Sequence, residues 1–182
     1  MTASRWLGFA ASILALAALL HLFIVWLIPI GITGIFIYRV SREVGYNRVV
    51  MRPLPTDKSR EVVKPSPDLL YAACAFHVGA GPVHISANTL QSYWSLAFYD
   101  RNSDNFFTIN SSNASGEKID LILGPTPKLQ GLVSEFPSAI YVQTPHAVGV
   151  MLARILVLDR AEMSAPLAAQ ASVRCDPIRG RG

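Results

Sequence analysis

At 182 residues, 51% of them hydrophobic and only 15% charged, the chain is more apolar than a soluble domain of its size, and the excess is concentrated at one end. Its formal net charge of +4 is carried largely by basic residues that directly follow that apolar run. No basic and aromatic residues interleave into a platform of the kind single-stranded nucleic acid requires, which excludes nucleic acid as the expected partner.

From Trp6 to Tyr38 there are 33 residues without one Asp, Glu, Lys or Arg. About 20 apolar residues cross a bilayer, so residues 1–38 are read as an N-terminal transmembrane anchor. A signal peptide has a shorter apolar region followed by a small-residue cleavage site, and none follows here. Pro29 is expected to end or kink the helix, leaving Leu7–Ile28 as the span proper and Pro29–Tyr38 as a tilted extension. Trp6, Trp26 and Tyr38 suit the two interfaces. Residues 39–67 are read as a basic, Pro-containing linker, because Arg52-Pro53-Leu54-Pro55 and Lys64-Pro65-Ser66-Pro67 can continue neither a helix nor a central strand. Arg39, Arg42, Arg48 and Arg52 suit anionic headgroups.

Residues 68–182 are roughly 115 in number, enough for one compact domain. Leu70–Val78 and Val83–Asn88 flank Gly79-Ala80-Gly81-Pro82 and read as a hairpin in which Val78 meets Val83, Phe76 meets Ile85 and Cys74 meets Ala87. Tyr93–Tyr99 alternates Trp94, Leu96 and Phe98 with Ser95 and Ala97, the period of a strand with one buried face, and a polar turn joins it to Asn105–Asn110. Further strands are expected at Ile119–Leu123, Ile140–Thr144 and Val148–Val157. Helices are expected at Pro127–Glu135 and at Asp159–Ala171, the latter capped by Asp159. Short strands with Gly and Pro punctuation predict a mainly β fold, an antiparallel sandwich or open barrel with a C-terminal helix.

Chemical motifs are sparse. In the hairpin register His77 faces His84, two of the ligands a metal site would need, against the alternative of a solvated pair. Asp100-x-Asn102-x-Asp104 copies the start of a calcium loop, but Asn105 stands where that loop needs Gly and Ser111 where it needs Glu; turn chemistry accounts for the same residues. No nucleophile elbow, zinc-protease motif, phosphate loop or catalytic triad spacing is present, so no catalytic residue, cofactor or metal is assigned. If the protein is an enzyme or a small-ligand binder, Asp100, Arg101 and Asp104 are the residues around which a polar pocket is expected. If it is an interaction module, Tyr93, Tyr99 and Tyr141 are the candidate contacts.

Pro67–Val78 with Gly81-Pro82-Val83, Tyr93–Arg101, Asn105–Asn110, Ile119-Asp120-Leu121 and Cys175-Asp176-Pro177 together resemble the DUF1254 family, a domain of unknown function, and in particular its short membrane-anchored bacterial members. The resemblance implies a β-rich fold, an envelope setting and a neighbouring sister protein of related unknown function; it brings no activity. His77 departs from the pattern, where Asp is usual. The similar members keep both cysteine positions, and a Cys74–Cys175 bridge would tie the last segment back onto the first strand in an oxidising compartment, against the alternative of two separate thiols. Topology signals conflict. The basic residues after the span place the domain in the cytoplasm by the positive-inside rule, whereas a bridge places it in the periplasm. The expectation carried forward is a single-pass inner-membrane protein with a periplasmic domain that acts as an accessory or interaction module, whose partners are the bilayer and a sister envelope protein or a lipid-linked ligand.

Overall fold

A computed structural model describes residues 3–59, 65–114 and 116–178. A long apolar helix, α1 (Ala3–Val44), precedes nine strands: β1 (Val49–Arg52), β2 (Leu69–His77), β3 (Val83–Asn88), β4 (Trp94–Asp100), β5 (Asn105–Asn110), β6 (Lys118–Gly124), β7 (Ile140–Gln143), β8 (Val148–Leu156) and β9 (Arg174–Pro177). Two short helices, α2 (Thr126–Gln130) and α3 (Ser164–Ser172), complete the described residues. The strands form two sheets, ordered β1-β2-β8-β4-β5 and β7-β6-β3-β9. All pairings are antiparallel except β6 with β7.

The expected sandwich is therefore present, and its core lies between the sheets. Leu70, Cys74 and Phe76 of β2, Trp94, Leu96 and Phe98 of β4, and Met151 of β8 meet Val83 and Ile85 of β3 and Leu121 and Leu123 of β6. The disulfide Cys74–Cys175 crosses this core and joins one sheet to the other. It closes a loop of 101 residues, for which loop-closure entropy gives about 4–5 kcal/mol of stabilisation. Gly149 is the one place in β8 with no room for a side chain, since a Cβ there would lie 2.3 Å from the Phe76 ring and 2.4 Å from the Tyr99 carbonyl oxygen.

The expected β2–β3 hairpin does not form. β2 instead pairs along nine residues with β8, and β3 pairs with β6 and β9 in the other sheet. Alternation fixed which residues turn inward but not their hydrogen-bonding neighbour: Phe76 and Ile85 share an interior, across the sandwich rather than along a ladder. The segment Gly79-Ala80-Gly81-Pro82 is accordingly a crossing between sheets.

At the N-terminal side, Pro29 does not end the helix, which runs through it to Val44. Proline forfeits one backbone hydrogen bond, and the rest of the ladder carries the helix on past it. The stretch read as linker contains the last turns of α1 and all of β1. Gly45, at φ +88°, stops the helix with its N–H bonded to the Ser41 carbonyl. Asn47 then splices the chain to β2: its side-chain amide donates to the His77 carbonyl and its Oδ1 accepts the His77 N–H. The C-terminal helix begins at Ser164 rather than at Asp159, whose carboxylate instead caps a turn by accepting the Ala161 N–H.

The C-terminal half of α1 lies on the outer face of the five-stranded sheet. Ile37 and Val40 are buried against Val50, Ala73, Ala75 and Val150. Beyond Val40, Glu43 forms a two-pronged ion pair with Arg52 of β1. Helix and sheet are thus bonded through several independent contacts, with a four-residue connection, 45–48, between them. A chain cut before Gly45 is expected to keep β1 and the Asn47 splice and to melt at a clearly higher temperature than one cut before Lys58. Equal thermal midpoints by circular dichroism would show that β1 adds nothing to the sandwich.

Candidate functional site

The outer face of the five-stranded sheet carries a cleft of about 1060 Å³. One wall is α1, through Ile32, Thr33, Phe36, Arg39, Val40 and Glu43. The opposite wall is the Pro-rich segment after β1, through Pro53, Pro55, Lys58, Ser59 and Pro65. Prolines suit a wall that must stand off from the sheet, because they lack the N–H that would draw the chain into the ladder. The floor is the sheet itself, and its side chains follow strand register. Arg52, Tyr71 and Arg154 are consecutive cross-strand neighbours, and Arg154 also lies opposite Ser95. Two residues further along lie Val50, Ala73 and Leu152, so the floor passes from a polar rung to an apolar one.

The polar groups are positioned by named bonds. Gln170 of α3 donates to the backbone carbonyls of both Arg52 and Tyr71 and fixes the two strands at the rung. The Tyr71 hydroxyl accepts the Ser66 N–H, which leaves its own proton to donate. The Tyr99 hydroxyl accepts from the Arg154 guanidinium at 3.2 Å and likewise keeps its proton free. Tyr93 is tethered to Ser95 through their hydroxyls. Of the described residues lining the cleft, Arg39, Arg52, Lys58 and Arg154 are basic and Glu43 is the one acidic residue, with its carboxylate held by Arg52.

The sequence-predicted loop stands beside this cleft without lining it, apart from Ser103. Asp100 is buried; its Oδ1 accepts the N–H groups of Asn102 and Asp104, and its Oδ2 pairs with His146 Nδ1 at 2.9 Å. The carboxylate is thus turned into its own turn and toward His146, an Asx arrangement that shapes the loop. Arg101 and Asp104 are exposed. The loop's tip reaches α1, where the hydroxyls of Ser103 and Thr33 are hydrogen bonded. Tyr93 and Tyr99, named as candidate contacts, are both in the cleft; Tyr141 is not, and its hydroxyl closes the α2–β7 connection on the carbonyls of Leu132 and Phe136. Arg39, Lys58, Tyr71 and Arg154 escaped sequence reasoning as a group because they come from four separate segments.

His77 and His84 are placed in different sheets. His77 stacks against Tyr46. His84 bonds Asp120 at 2.9 Å, with Phe136 packed on its ring and Lys118 also on the same carboxylate oxygen at 3.0 Å. No group of three metal-ligating side chains occurs among the described residues. Cys74 and Cys175 are bridged, as the cysteine arithmetic and the resemblance implied.

The model of a family described as a protein of unknown function, DUF1254, matches residues 46–177. The chain belongs to the DUF1254 family. That match begins at Tyr46, directly after the Gly45 cap, and ends with β9, so it takes in β1 as part of the domain. Among curated proteins none matches the sequence. Two crystal structures share the DUF1254 chain's fold, one of a protein from Vibrio parahaemolyticus (TM-score 0.56, 15% identity, covering 81% of this chain and 37% of that one) and one of an uncharacterised protein from Burkholderia cenocepacia (TM-score 0.51, 14% identity, covering 80% and 41%). The chain therefore spans about two fifths of the length of these solved proteins.

Asp120 of β6 is expected to give the stability of the DUF1254 sandwich a pH dependence. Partial burial raises its pKa, but the hydrogen bonds and charges of Lys118 and His84 outweigh burial and hold it below the ordinary aspartate value. A carboxyl with a depressed folded-state pKa stabilises the fold above its unfolded value and loses that contribution as pH falls through the folded one. Asp120→Asn is expected to lower the thermal midpoint at pH 7, and the difference from the unsubstituted protein should close on acidification below the aspartate range. A gap that persists unchanged at low pH would mean that the carboxylate charge is not the cause.

Proposed function

We propose that this DUF1254 protein is a ligand-binding accessory module of the bacterial envelope, anchored in the inner membrane by α1 with its sandwich in the periplasm. The observation that carries the reading is the cleft, whose volume matches small-molecule sites and whose floor pairs an apolar rung with convergent Tyr and Arg side chains. α1 is long and apolar enough to span a bilayer. The Cys74–Cys175 bridge supports an oxidising compartment. The basic residues after the span weigh against this orientation by count, but Arg52 is bound to Glu43 and Arg42 lies over the Tyr38 ring, so these charges have structural employment beyond topology.

Two measurements test the proposal. Leu152 lies on the cleft floor, and Leu152→Trp is expected to fill it. In native mass spectra of the full chain extracted gently from its own membranes, the unsubstituted protein should carry a bound small molecule that the Leu152→Trp protein lacks; identical spectra without an adduct would sink the binding reading. Orientation is read separately. Both native cysteines are buried and bridged, so the probe is Gly131→Cys, at an exposed position with open space around it. A membrane-impermeant maleimide should label it in intact cells, and labelling that requires lysis would place the domain in the cytoplasm.

A further inference from the structure

We propose that the cleft seats the headgroup of an anionic phospholipid drawn from the leaflet in which α1 is anchored; this rests on the reading of the cleft as a ligand site and names its occupant. Three observations converge on it: where the cleft meets the membrane, what charge it carries, and how its apolar and polar parts are arranged.

Membrane depth is set by the contact between Thr33 and Ser103. Ser103 belongs to a polar loop whose Arg101 and Asp104 are exposed, and such a loop does not enter hydrocarbon. The hydrocarbon boundary therefore falls on the N-terminal side of Thr33. Trp6–Ile32 holds 27 residues, about 40 Å of helix, which is ample for a hydrocarbon layer of about 30 Å. Ile32, Thr33 and Ser103, at one end of the cleft, then stand at that boundary, and Arg39 stands about 9 Å further along the helix, in the layer that headgroups occupy. α1 crosses the sheet from this loop to β1, so the cleft beside it rises away from the bilayer.

The charge of the lining favours an anion. Among the described lining residues four basic side chains accompany one carboxylate, and that carboxylate is held by Arg52. Among the described residues Arg39 and Lys58 have no ion-pair partner, and Arg154 bonds the neutral Tyr99 hydroxyl. Guanidinium forks flanked by phenol donors recognise phosphate oxygens well. The apolar groups have a complementary place. Ile32 and Phe36 face the membrane end, where the glycerol and first methylenes of a lipid would lie while its phosphate reaches Arg39 and Arg154. A small free anion would use the polar rung and leave this apolar lining without a function.

The test uses the full chain in nanodiscs of phosphatidylcholine doped with phosphatidylglycerol, followed by release into mild detergent and native mass spectrometry of the lipid retained. The unsubstituted protein should retain phosphatidylglycerol with at least about tenfold preference over phosphatidylcholine, the scale of one charge-assisted contact. Arg154→Gln and, independently, the exposed Arg39→Gln and Lys58→Gln should reduce that preference, while near-ultraviolet circular dichroism stays unchanged. Leu152→Trp should abolish retention of either lipid. Equal retention of the two lipids would overturn the anionic headgroup and leave the cleft as a ligand site; retention untouched by Leu152→Trp would overturn the cleft itself. Displacement of the lipid by millimolar inorganic phosphate would make the ligand a free anion and overturn the lipid assignment.

Discussion

The structure depends on one packing contact, the seating of Ile37 and Val40 of α1 on the outer face of the five-stranded sheet. An antiparallel sheet in a sandwich ordinarily shows one face to the core and one to water. Here Ala73, Ala75 and Val150 turn outward and are buried by the helix, which is why β2 reads as a nearly continuous apolar run. Small side chains on the sheet let the helix approach closely. Because α1 continues unbroken from its exposed apolar part into this contact, the orientation of the sandwich relative to the helix axis follows from packing.

The joint after the helix reinforces that constraint. Gly45 supplies the left-handed backbone that ends α1, Asn47 bonds both backbone groups of His77, and the Glu43–Arg52 pair spans the same turn. The ion pair is partly exposed and contributes modestly, whereas the Asn47 bonds replace ladder hydrogen bonds that β1 would otherwise lack at its start. The cleft exists because α1 leaves part of the sheet uncovered and the Pro-rich segment stands off from the rest.

The second organising element is the Cys74–Cys175 bridge between the sheets. Cys175 lies opposite Ile85 in β9, an edge strand of four residues whose one neighbour among the described strands is β3. Such a strand gains little from its ladder, and the covalent link holds it to the interior from the other sheet. The bridge also reserves Cys74 for the core and leaves the outer face of β2 free to carry Tyr71 into the cleft.

The amino-acid sequence by itself determined the apolar anchor, the β class, most strand positions and the inward set Trp94, Leu96 and Phe98, because periodicity and turn residues report local geometry and burial directly. Family kinship was legible for the same reason, in short strings such as Trp94-Ser95-Leu96 and Cys175-Asp176-Pro177. Partner choice was not. The β2–β3 hairpin was self-consistent along the chain, yet the longer register with β8 prevails, since alternation names a face and leaves the neighbour open. Asp100 was visible as a polar loop residue, but only the fold turns its carboxylate inward to His146. β1 was hidden by the prolines that follow it, and the cleft by distance: Arg39, Lys58, Tyr71 and Arg154 meet only when a helix, a Pro-rich wall and two strands are brought together by long-range burial, which no local pattern encodes.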